Sequence, residues 1–177
     1  MPRISAPVPV PALTQARLKE LLHYDPVTGI FTWITRKAQR IHVGDVAGWA
    51  NGKGYLKVEI DGRGYFLHNL AWLYMTGEWP ARQVDHKNCV GSYNAWDNLR
   101  EATAVENGAN TRLSKRNTSG FKGVHFRQKK RGTKRWQAYI RKNRQLKHLG
   151  YFYTPEEAHA AYVTAASELS GEFARAG

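Results

Sequence analysis

The stretch "VDHKNCVGSYNAWDNL" (84–99) sets an acid beside a histidine and then runs through amides and aromatics to Asn98. As a plain surface turn it needs no partners. As half of a hydrolytic site it dictates much of the fold around it. Neighbouring residues on a regular strand point to opposite faces, so Asp85 and His86 share a site only where the backbone turns, at a bulge or strand end. The loop 87–98 then has to fold back over His86, where Asn98 can fix the ring by a hydrogen bond. A little further on, Thr103-Ala-Val-Glu106 fits a capping box, in which the Thr hydroxyl and the Glu carboxylate satisfy free N–H groups at a helix start. The spacing predicts Asn107 in the first turn of that helix.

Composition narrows the function classes. The chain has 177 residues, enough for one ordinary domain or two small ones. Six Trp, nine Tyr and six Phe within a 42% hydrophobic composition supply packed cores and exclude general disorder. Lys plus Arg number 27 against 14 acids, a net charge of +13, so nucleic acid is the leading partner class. A membrane-surface protein would show a basic amphipathic helix with bulky apolar residues opposite, and none is evident. The single cysteine, Cys89, excludes disulfides and Cys-based zinc sites within one chain and fits a reducing compartment. No stretch approaches the roughly 18 apolar residues of a membrane span. The opening MPRISAPVPVPA (1–12) lacks a signal-peptide core and reads as a flexible lead, and the protein as cytoplasmic.

Along the chain, LTQARLKELLH (13–23) spaces its leucines as a short amphipathic helix with Thr14 as cap. YDPVTGIFTW reads as a turn feeding a strand, and GYLKVEIDGRGYFLH as a hairpin turning at Asp61-Gly62. LHNLAWLYMTGEWP is a short apolar helix ended by Gly77, with Trp72 and Trp79 assigned to the core. SKRNTSG (114–120) is polar and marks a linker, giving a 13–113 domain and a 121–177 domain. In the second, eleven Lys/Arg and no acid lie between Lys122 and Lys147. Alternation puts Trp136, Ala138 and Ile140 on one strand face, and Arg135, Gln137, Tyr139 and Arg141 on the other. TPEEAHAAYVTAASELSG then predicts a helix with Thr154 as N-cap, Pro155 at the first position, Glu157 closing a capping box and Gly171 as terminator. Its Ala158, Ala161, Tyr162, Ala165 and Leu169 form the stripe that covers the sheet. The fold class is α+β.

Hydrolysis of a phosphodiester needs an in-line nucleophile and neutralisation of charge on the phosphate and the leaving oxygen. One divalent ion serves both, and a histidine takes the proton from water. Oxygen ligands suit Mg²⁺, which keeps several of its waters. Asp85 and Asn107 can supply such oxygens, and an ordinary imidazole, titrating near ~6.5, suits His86 as base.

The run HNLAWLYMTGEWP (68–80), then VDHKN, DNLREAT and EN (106–107), resembles the HNH family of homing-type endonucleases over roughly residues 13–113. The resemblance implies a ββα-metal core with Asp85 and Asn107 as metal ligands, His86 as general base and Asn98 orienting that base. Asn stands where the last His of the family name would be, and Asn110 lies one helical turn beyond Asn107. One Mg²⁺ or Mn²⁺ ion per site is expected. No structural zinc is, since the CxxC pairs of zinc-stapled members are missing. Asn69 follows His68 where relatives typically carry Arg. The run SGFKGVHFRQ…RWQAYIRKN…HLGYFYTPEEAHAAYVTAASELSGEFA (119–174) resembles the AP2 domain, a three-stranded sheet plus helix that lays its sheet in the DNA major groove. That resemblance implies DNA contacts from Lys122, Arg127, Arg135, Tyr139, Arg141 and His148. His125, Tyr139 and His148 differ from plant members, so base preference does not transfer.

The expectation is a site-specific endonuclease acting on double-stranded DNA, homing-type and of phage or mobile-element origin. It would work as a monomer or weak dimer on DNA, in the bacterial host cytoplasm if phage-encoded, without membrane attachment. A DNA-binding regulator built on an inactive nuclease scaffold is the alternative. An RNA-binding protein of the translation machinery would match the charge but explains neither the Asp-His-Asn-Asn spacing nor the sheet module.

Overall fold

The computed structural model describes residues 13–114, 116–127, 135–142 and 145–174. The proline-rich lead 1–12 and the basic stretch 128–134 lie outside the described residues. The chain divides into two compact units, one running through Pro80 and including Gly91–Asp97, the other made of Ala81–Val90 and everything from Asn98 on. The polar stretch 114–120, expected as a linker, lies within the second of these units. Lys122 bonds the carbonyls of Ala109 and Thr111, so the segments on either side of the polar stretch belong to one unit.

In the first unit, α1 (Gln15–Leu21) starts where the Thr14 hydroxyl accepts from Arg17 N. It is shorter than the leucine spacing predicts, because Leu22 leaves the helix to begin β1 (Leu22–Tyr24), which pairs antiparallel with β2 (Phe31–Trp33). A three-stranded sheet follows from β3 (Trp49–Ala50), β4 (Leu56–Ile60) and β5 (Arg63–Phe66), with β4 central. The β4–β5 turn has φ of 48° at Asp61 and 77° at Gly62. Two positive φ values in succession match the twist of the flanking strands, which is why Asp-Gly suits this position. Then α2 (Leu67–Thr76) ends at Gly77 in the left-handed region. Leu18, Leu22, Tyr24, Phe31, Ile60 and Leu70 are among the fully buried side chains that join these elements. The buried Tyr24 phenol donates to Asn94 O at 2.7 Å, and burial pushes its pKa well above the ordinary tyrosine range. Trp72 packs at 5.2 Å from Trp96, as a core residue should. Trp79 stays 36% exposed, stacked on Tyr65 and donating its indole N–H to Leu13 O.

The second unit begins with β6 (Gln83–His86) paired antiparallel with β7 (Leu99–Ala102), followed by α3 (Ala104–Ala109). The capping box of α3 is complete: Glu106 N donates to the Thr103 hydroxyl, and Thr103 N donates to the Glu106 carboxylate. Hydrogen bonding from the backbone N–H and then the side chain of Thr103 holds the Glu106 carboxyl below its ordinary range. Its folded pKa is depressed, so its stabilisation is present above the unfolded value of about 4.3 and is lost as pH falls through the folded one. Thr103→Ala is expected to destabilise the unit by about 1 kcal/mol. Urea unfolding at pH 7 and pH 3 checks both statements, with a smaller effect of the substitution at pH 3.

A second sheet, ordered β10-β9-β8, is built from β8 (Val124–Phe126), β9 (Trp136–Lys142) and β10 (Gln145–Phe152), with α4 (Pro155–Ser170) packed across all three strands. Ala138 and Ile140 are buried under the helix residues Ala158, Tyr162 and Ala166, and Trp136 packs at the edge of the same cluster. The strand parity expected from sequence therefore holds. Thr154 caps α4 as expected, whereas the Glu157 carboxylate reaches the N–H of Tyr153. No reciprocal box with Thr154 forms. The register of β10 shifts between His148 and Gly150, and Leu149 packs against both parts of the core.

Candidate active site

His86 is the last residue of β6, and both it and Asp85 are buried, at 4% and 6% exposure. His86↔Leu99 is the last pair of the β6–β7 ladder. Beyond it Cys89 adopts φ 57° and donates its N–H back to His86 O at 2.9 Å, a tight turn immediately after the histidine. Asn98 closes the other end of the loop. Its amide oxygen accepts from Asn88 N at 3.0 Å, its amide nitrogen donates to Asn88 Oδ1 at 3.1 Å, and its carbonyl accepts from Lys87 N at 2.8 Å. The two residues flanking the loop are thereby clamped beside His86.

Register explains the electrostatics. Asp85 lies directly opposite Arg100, and Arg100 Nε donates to Asp85 Oδ2 at 3.1 Å with both side chains largely buried. The Asn110 amide donates to the same oxygen at 2.9 Å and to His86 O at 2.8 Å. Among the described residues, Oδ1 of Asp85 has no hydrogen-bond partner. Asn107, one turn earlier on α3, donates its amide N–H to Gln83 Oε1 at 2.9 Å, two residues along β6 from Asp85. It is the more accessible of the two asparagines; Asn110 is 5% exposed. The structure thus joins Asn110 directly to Asp85, while Asn107 bonds Gln83 through its amide nitrogen and, among the described residues, its amide oxygen has no hydrogen-bond partner.

Among the described residues no three His, Cys, Asp or Glu side chains cluster as a metal-binding set. Any ion here would take an amide oxygen beside a carboxylate. A hard cation that keeps most of its waters fits such a sparse oxygen set. Asp85 Oδ1 and the Asn107 amide oxygen are the oxygens of the right kind, since the Arg100 and Asn110 bonds both go to Asp85 Oδ2.

On the C-terminal sheet, Arg135, Arg141 and His148 are exposed and Tyr139 is half-buried, on the face away from α4. Tyr139 lies 6.0 Å from His125 and 4.9 Å from His148, and His148 lies 4.5 Å from Tyr151. Arg127 stacks over the Tyr151 ring at 4.8 Å. A stripe of rings edged by guanidinium groups thus crosses the open face. Lys122 does not belong to it: its ammonium donates to Ala109 O at 2.7 Å and Thr111 O at 2.9 Å, at the C-terminal end of α3. A lysine there satisfies carbonyls that the helix leaves open. Sequence reasoning missed Arg100, whose role depends on strand register, and Tyr151, which joins the open face only because of the β10 bulge.

Residues 65–109, from β5 through α3, match the family model described as HNH endonuclease. That match supports a nuclease, and with it DNA as substrate and a divalent metal as the general companion of such domains. No curated protein and no solved structure matched the chain. Among the described residues no helix is long and apolar enough to cross a membrane.

Proposed function

We propose that the protein is a metal-dependent endonuclease of double-stranded DNA, with the ββα unit β6–β7–α3 as its catalytic core. The observation that carries this is the buried Asp85-His86 pair at a strand end, with a capped helix setting asparagines over the same strand, inside the stretch that matches the HNH endonuclease model. Asp85 and Asn107 would hold one Mg²⁺ or Mn²⁺ ion, which neutralises charge on the phosphate and leaving oxygen when bound. His86 takes the proton from the attacking water, being the side-chain type suited to that exchange near neutral pH. Asn98, clamped on Asn88, fixes the segment that follows His86 and orients the base. Asn110 positions Asp85 by spending both amide hydrogens on the strand that carries it.

These roles separate by measurement. Asn107→Ala is expected to weaken Mn²⁺ binding and cleavage without lowering thermal stability. Asn110→Ala leaves buried partners unsatisfied and is expected to cost about 1–3 kcal/mol of stability as well. Equal thermal stability for Asn110→Ala and wild type, with metal binding lost only in that variant, would exchange the two assignments.

The C-terminal sheet, taken as an AP2-like module, holds the duplex through Arg127, Arg135, Tyr139, Arg141 and His148. Phosphate contacts position it and arginine contacts to base edges discriminate. Arg141→Ala is expected to reduce the slope of log affinity against log salt by about 1 if Arg141 meets a phosphate. A homing-type role in a phage or mobile element, as a monomer or weak dimer on DNA, follows from the same resemblance.

One observation favours a second possibility. Arg100 already places a cation on Asp85, as a scaffold retired from catalysis would allow. A regulator of that kind would bind DNA selectively and with strong salt dependence, yet cut it with no divalent ion.

A further inference from the structure

We infer that Phe173 is a positioning residue which, through Arg100, sets the carboxylate of Asp85, so that the far C-terminal end of the chain is part of the nuclease site. The inference rests on the assignment of Asp85 as a metal ligand. After α4, Gly171 turns the chain into a 3-10 turn, Gly171–Phe173, closed by the bond from Ala174 N to Gly171 O. This turn and α4 both pack against α3. The Arg100 guanidinium sits 3.8 Å from the centroid of the Phe173 ring, and its Nε donates to Asp85 Oδ2. An aromatic face attracts a guanidinium and restricts it to a plane. Arg100 therefore approaches Asp85 from a fixed direction and takes Oδ2, leaving Oδ1 for a cation. Lys122 adds a second tie from the C-terminal module by holding the carbonyls at the end of α3. A carboxylate held by an outer partner binds metal better than one free to rotate, and loss of such partners typically lowers metal affinity by about tenfold or more.

The opposite effect is equally definite. If Arg100 merely blocked Asp85, loosening it would strengthen metal binding. The test uses the full-length chain, titrated with Mn²⁺ by calorimetry without DNA, alongside duplex binding without metal and cleavage kinetics. Phe173→Ala is expected to bind Mn²⁺ about tenfold more weakly. Its DNA affinity and KM should be unchanged and kcat reduced, and Phe173→Tyr, which keeps the ring face, should restore all of these. Unchanged or tighter Mn²⁺ binding by Phe173→Ala, or a loss that Phe173→Tyr shares, overturns the inference. Where the alanine variant does not fold, Phe173→Leu keeps the apolar bulk without the ring face, and the same criteria apply. Wild type that cuts DNA while Phe173→Ala matches it in Mn²⁺ affinity removes the coupling alone. Wild type that binds Mn²⁺ without cutting removes the nuclease assignment, and the coupling then stands or falls on the Mn²⁺ affinities.

Discussion

His86→Ala is expected to lower the rate of DNA cleavage by about 10²–10⁴-fold, while affinity for the same DNA stays within a factor of a few. The size follows from the role. Water is a poor nucleophile until a positioned group accepts its proton, and the histidine that follows Asp85 at the end of β6 is the group proposed for that role. The specificity of the effect follows from placement, because the basic and aromatic face proposed to hold DNA is built from β8, β9 and β10. Single-turnover cleavage and gel-shift affinity, measured on one preparation, separate the two quantities. His86 is 4% exposed, so its removal also leaves a small cavity. A parallel thermal melt with His86→Gln, which fills most of that space without a proton acceptor of the same kind, should show the same catalytic loss with less destabilisation.

Gly29→Ala is the substitution expected to damage the fold most, by about 3 kcal/mol or more. The turn Asp25–Gly29 is tightly specified: Val27 N and the Thr28 hydroxyl donate to the Asp25 carboxylate at 2.9 and 2.7 Å, and Gly29 N donates to Asp25 O at 2.8 Å. Gly29 closes it at φ 75°, a conformation that side chains resist. A Cβ there would lie 2.2 Å from Ala95 N and from the Asn94 carbonyl carbon. Both are backbone atoms that a rotamer change cannot move, and Trp96 N donates to Pro26 O close by. The alanine variant must therefore give up the turn or the packing of 94–96 on it. Hydrogen exchange is the suitable readout, with protection lost in β1 and β2 and retained in β8–β10. The Asp25 carboxyl is held below its ordinary range by the same bonds. Its contribution is present above about pH 4 and disappears as pH falls below that.

Local chemistry was the part of the fold legible in sequence. Caps at Thr14, Thr103 and Thr154, the Asp61-Gly62 turn, the Gly77 and Gly171 terminators and the alternation through 135–141 each depend on residues a few positions apart. What failed to show depends on partners distant in the chain. The four residues of β7 are too few to display alternation, so the hairpin carrying Asp85 was visible only through family resemblance. Arg100 and Phe173 are adjacent only after register and α4 have placed them. Lys122 looked like one more charge in a basic run because its carbonyl partners are folding products. Asp85 and His86, the proposed site residues, are readable as a pair, whereas the proposed division of labour between Asn107 and Asn110 rests on the bonds to Gln83 and Asp85.

Incubation of the full-length protein with supercoiled plasmid or long duplex DNA, with and without Mg²⁺ or Mn²⁺, tests the central claim most directly. The account predicts binding in both conditions, cleavage only when the ion is present, and loss of cleavage in Asp85→Ala. Selective, salt-sensitive binding with intact DNA under every divalent ion tried would contradict it, leaving a DNA-binding protein whose nuclease fold no longer cuts.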